Sequence, residues 1–163
     1  MTNADQNTQQ NALDSKSRWV TFRLGKEVYG INVLQVQEVL KVTEIAPVPG
    51  APDYVLGIVN LRGNVVTVID TRKRFGLAPA EIDPNLARIV IIESDNQVVG
   101  MLVDSVSEVV ELNEENIDST PNIGSEENSK YILGVSNYDN DLLILVDLNK
   151  LIYNEEWKSM VRA

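Results

Sequence analysis

Two carboxylates offer the best case for chemistry. Asp70 and Asp147 each end an apolar run, VVTVID and LLILVD, and lie 77 residues apart. As a pair they could share a proton in a dyad, the arrangement of a carboxylate-dependent hydrolase. A simpler role competes: an Asp after a strand accepts hydrogen bonds from the first turn of a helix, here TRKRF or LNKLI. Asp139, Asn140 and Asp141 look like cation ligands, but the spacing of a calcium loop, with its Gly at six and Glu at twelve, is missing. That segment reads as a hairpin turn. Glu114–Glu115 and Glu126–Glu127 could attract a cation weakly and without selectivity.

Composition removes most other chemistry. The 163 residues include no His and no Cys. The usual general base, the paired nucleophiles, zinc–sulfur sites and disulfides all go with them. The nine glycines are scattered, so no phosphate-cradling loop forms. Neither a cofactor nor a metal site is expected. Twenty-four acidic against 14 basic residues leave a net charge of −10, which disfavours nucleic acid. The one basic run, Arg72–Lys73–Arg74, has no interleaved aromatics. Charge is uneven: residues 1–88 sum to +1 and residues 89–163 to −11, which suggests two surfaces with different partners.

The elements that must position these residues come in two copies. YVLGIVNLRGNVVTVIDTRKRF from Tyr54 matches YILGVSNYDNDLLILVDLNKLI from Tyr131 at a constant offset of 77. VYGINVLQVQEVLKV from Val28 matches VVGMLVDSVSEVVEL from Val98 at an offset of 70, as does WVTFRL over IVIIES. A seven-residue insertion reconciles the offsets, with 43–53 in one copy and 113–130 in the other. Each copy reads as short strands plus helical turns. Val33, Val36 and Leu40 share a helical face, as do Val103, Val106 and Val110, predicting an amphipathic stub. Gly30 and Gly100 inside strands predict a bulge or tight bend. The expectation is a mainly β fold of two five-stranded barrel lobes, 18–77 and 88–153, joined by a linker at 78–87. Residues 1–17 and 154–163 read as tails, the first of them disordered. With no signal peptide and no span of about 18 apolar residues, a soluble cytoplasmic protein without membrane insertion is expected.

VYGINVLQVQEVLKV followed by APVPGAPDYVLGIVNLRGNVVTVIDTRKRFGL resembles the CheW-like family of chemotaxis coupling proteins, and residues 18–153 follow its pattern. The resemblance implies two SH3-like five-stranded barrels. It also implies a non-catalytic adaptor between the histidine kinase CheA and the cytoplasmic tips of chemoreceptors, at membrane-associated arrays. Paralogues in other chemosensory pathways, such as type IV pilus motility, share the pattern. Carried over by position, Val33, Val36, Glu38, Gly57, Leu61 and Arg62 would contact the receptor in a groove between lobes. The kinase's regulatory domain, similar in fold, would join lobe to lobe. For that contact the long loop offers Ile117, Pro121 and Ile123, each of which could instead tether the loop to its own barrel.

Overall fold

A computed structural model describes residues 16–119 and 131–152. The described residues form ten strands: β1 (Lys16–Leu24), β2 (Glu27–Asn32), β3 (Val36–Lys41), β4 (Val55–Leu61), β5 (Asn64–Asp70), β6 (Arg88–Ser94), β7 (Gln97–Val103), β8 (Ser105–Asn113), β9 (Ile132–Tyr138) and β10 (Asp141–Val146). Two short helices, α1 (Thr71–Arg74) and α2 (Leu148–Ile152), follow β5 and β10. The first sheet has the order β8-β1-β2-β10-β9 and the second β3-β6-β7-β5-β4. Exchanging β1–β5 for β6–β10 turns one order into the other, so the repeat survives as a pseudo-twofold.

The architecture is mainly β with two five-stranded lobes, as expected, but the lobes are not the repeat copies. Each sheet joins the first two strands of one copy to the last three of the other. The second sheet is continuous from Val36 to Val103, and the first is assembled from the segments on either side. Contiguous lobes at 18–77 and 88–153 therefore give way to reciprocal exchange, and residues 78–87 form a connection within the second sheet. The cause lies in the third strand of each copy. β3 pairs with β6, and β8 pairs with β1, each across the copy boundary. Residues 16 and 17, read as tail, begin β1.

The two amphipathic stubs are strands. Only Val33–Gln35 turns, as a 3-10 turn; Val36–Lys41 then alternates half-buried and exposed, the signature of a sheet. Val, Gln and Glu over a few residues fit both periods, and pairing with β6 decides.

Every central strand is buried on both faces, which accounts for near-continuous apolar runs such as RIVIIES. In β2, Tyr29 and Ile31 enter a core cluster shared by the two sheets, while Val28 points into the first lobe. In β6, Val90 and Ile92 enter the shared cluster, while Ile89 and Ile91 point into the second lobe. Gly30 and Gly100 sit in regular ladders and mark no bulge. They make room: a Cβ on Gly100 would lie 2.9 Å from Ile89 Cγ2, and one on Gly30 would lie 3.1 Å from Leu145 Cδ2. The register shift in the β1–β8 ladder falls at Val20–Phe22 instead.

Candidate protein-binding surface

Asp70 and Asp147 act as caps. Asp70 Oδ1 accepts from the Lys73 amide at 3.3 Å. Asp147 Oδ1 accepts from the amides of Asn149 and Lys150 at 3.1 and 3.4 Å. Each satisfies otherwise orphaned N–H groups at the start of its helix. Among the described residues, no three acidic side chains gather as metal ligands would.

The six candidate receptor residues occupy different settings. Glu38 and Arg62 meet in a two-pronged ion pair at 2.8 and 3.3 Å. Glu38 is on β3 and Arg62 is on the β4–β5 turn, so the pair draws together the two outer strands of the second sheet. That turn has positive φ at both central residues, 52° at Arg62 and 85° at Gly63, the backbone sense of the favoured two-residue hairpin. Asn60 Oδ1 steadies it by accepting from the Gly63 amide at 3.0 Å. The hydrogen bonds to Glu38, and then its charge, hold the Arg62 guanidinium still more firmly protonated. Leu61, like Leu40 and Ile45, packs partly buried against the second lobe's core.

Gly57 is buried, for a backbone reason. Ala46 bridges to Ile58 through hydrogen bonds of 2.9 and 2.8 Å, and a Cβ on Gly57 would lie 2.1 Å from the Ala46 carbonyl oxygen. Its φ of 151° also disfavours any side chain. Gly134 repeats the device beneath Asp118, which bridges to Val135. Val36 packs against the shared core, whereas Val33 lines a separate groove with Lys16, Arg18 and Glu114. The structure thus unites Glu38, Leu61 and Arg62 around one hairpin and leaves Val33 elsewhere.

Of the kinase candidates, Ile117 is half-buried against the first lobe's core, its Cγ2 over Gly134. Pro121 and Ile123 lie outside the described residues.

Sequence reading missed what holds the lobes together. Along the chain Arg72–Lys73–Arg74 is simply a basic run, yet two of its three members reach across. Arg72 forms an ion pair with Asp104, where the chain crosses between sheets, and Asp104 Oδ2 also accepts from the Gly25 amide at 2.7 Å. Arg74 places its guanidinium 4.5 Å from the Tyr54 ring centre and 5.0 Å from that of Tyr131. It also donates to the Leu151 carbonyl at 2.9 and 3.1 Å, covering the end of α2. The matched pair Tyr54 and Tyr131 was the available signal: equivalent aromatics near a pseudo-twofold invite a shared partner.

Capped carboxylates, a shared core and a braced hairpin make this an all-β interaction module. Residues 18–156 match the family model for the CheW-like domain. The chain is 34% identical over 150 residues to the chemotaxis protein CheW of Treponema pallidum, covering 90% of this chain and 88% of that one. It is 33% identical over 144 residues to that of Bacillus subtilis, covering 88% and 92%. The fold is similar to the crystal structure of the scaffolding protein TtCheW from Thermoanaerobacter tengcongensis. There the TM-score is 0.78 at 32% identity, with 86% of this chain and 90% of that one covered. The chain belongs to the CheW-like domain family, and it is a chemotaxis coupling adaptor.

Proposed function

We propose that the protein joins the histidine kinase CheA to the cytoplasmic tips of chemoreceptors and has no catalysis of its own. The observation that carries this reading is the match of one CheW-like domain over residues 18–156, with both sheets present. The braced hairpin of Glu38, Leu61 and Arg62 supports a receptor contact. A fixed turn with an apolar neighbour and a rim charge offers a helical tip a surface that loses little entropy on binding. Val33, Val36 and Gly57 are carried into that surface by position alone, with Val36 on the shared core, Gly57 beneath Ala46 and Val33 in its own groove. The kinase contact is assigned to the 113–130 loop, through Pro121 and Ile123, with Ile117 anchoring that loop to the first lobe. The working site is the cytoplasmic face of a receptor array; among the described residues no helix is long and apolar enough to cross a membrane.

The test is reconstitution. Purified kinase and a receptor cytoplasmic fragment are assayed for kinase autophosphorylation with and without the protein. Receptor-dependent stimulation that needs the protein supports the reading. Equal kinase activity in both cases overturns it.

A further inference from the structure

The pseudo-twofold supplies an internal control on surface charge. In the first sheet Arg18 on β1 lies directly opposite Glu111 on β8, and Glu111 also pairs with Lys16 at 3.5 Å. The equivalent positions in the second sheet are Arg88 on β6 and Lys41 on β3, again directly opposite each other. Here both are cations. Directly opposed residues of an antiparallel pair project from the same face, and like charges there destabilise the sheet. Among the described residues no carboxylate pairs with either. The Arg88 guanidinium donates instead to the carbonyls of Asn85 and Ala87 at 3.1 and 2.7 Å. Two exposed apolar residues neighbour the cations along the chain: Val42, 42% exposed, follows Lys41, and Leu86, 56% exposed, precedes Arg88 by two residues. The position of Leu86 in the repeat is that of Lys16 in the first sheet.

We propose that Lys41 and Arg88, flanked by Val42 and Leu86, form a docking surface for an acidic segment of a protein partner that carries apolar residues beside its carboxylates. The site rests on the adaptor reading in taking its occupant from the chemosensory partners. Three observations favour a protein segment over a polyanion. The pair is small, the flanks are apolar, and the chain's net charge of −10 disfavours an extended nucleic acid or anionic bilayer. A short carboxylate-bearing segment can meet the two cations without covering the rest of the acidic surface. Binding would replace the missing counter-charge that Glu111 provides in the other lobe.

The experiment is Lys41→Glu in the full chain, with Lys41→Gln as a second variant that removes the charge without reversing it. Lys41→Glu restores the Arg–Glu pairing of the first sheet, so the melting temperature should rise by roughly 1–3 °C. Association with either the purified receptor fragment or the kinase should weaken about fivefold or more at low salt, with the gap narrowing as salt is added. A more stable protein that binds its partner less well is the supporting result. Wild-type affinity of both variants for both partners overturns the inference and leaves the adaptor reading intact. Wild-type protein that binds neither partner removes both. Loss of binding confined to phosphatidylglycerol-containing vesicles would make the surface a membrane contact and overturn the protein-segment assignment.

Discussion

Arg62 on the β4–β5 turn grips Glu38 on β3 through both carboxylate oxygens, at 2.8 and 3.3 Å. The second repeat lacks this brace, because two acids, Asp139 and Glu108, stand at the matching positions and cannot form an ion pair. One lobe therefore presents a held cation on its turn and the other an acid. Arg62→Asp should weaken binding of the receptor fragment while leaving the melting curve in place, since the side chain is largely exposed. Titration calorimetry against that fragment checks this; equal affinity removes Arg62 from the receptor surface.

Gly57→Ala should be among the most damaging single changes. The added methyl would meet the Ala46 carbonyl at 2.1 Å, so the 42–53 segment must leave the edge of β4. A loss of about 3 kcal/mol or more in urea unfolding is expected, with receptor binding falling as a consequence.

Ile117 and Ile123 should behave differently. Ile117→Ser removes apolar packing against the first lobe and should cost about 1–3 kcal/mol, with receptor and kinase affinities falling together. Ile123→Ser should reduce kinase binding more than receptor binding. Parallel losses for both variants would make the whole loop a tether.

Arg74→Met should lower stability by about 2–4 kcal/mol. It gives up charge-assisted hydrogen bonds to the Leu151 carbonyl and the stack between Tyr54 and Tyr131. Arg74→Lys should recover part of this, because an ammonium can still face a ring but cannot fill the planar gap. Chemical denaturation of the three proteins makes the comparison.

Burial, with a smaller contribution from Glu27, pushes the Tyr29 hydroxyl up to about 12. The folded state therefore favours the neutral phenol. That stabilisation is complete below pH 10 and is lost as pH rises from about 10 to 12. Tyr29→Phe should flatten the alkaline fall in stability, measured by urea midpoints across that range. An unchanged slope would show that other groups set it.

The sequence by itself determined most of the strands, though not β3 and β8, together with the caps and the family. Those features are local or repeat at a constant spacing: Asp70 and Asp147 cap helices within three residues, and NLRGN encodes its own turn. The glycines at 57 and 134 were visible as a matched pair, but their cause was not, because the carbonyls above them come from Ala46 and Asp118, 11 and 16 residues away.

Tertiary structure alone decided which copy each strand joins. A constant offset states that two segments are alike and is silent on whether each pairs with its own copy or the other. Ladder hydrogen bonds are the same in either case, so the choice falls to long-range packing. Here β3 and β8 cross over, and each sheet turns one face of its central strands to a shared core and the other to a core of its own. That exchange aligns Lys41 with Arg88, 47 residues apart in sequence, and brings Arg74 between Tyr54 and Tyr131. The Lys41–Arg88 register has no signature along the chain, and the matched tyrosines do not name Arg74 as the partner, because charge register and ring stacking exist only once strands from distant segments lie side by side.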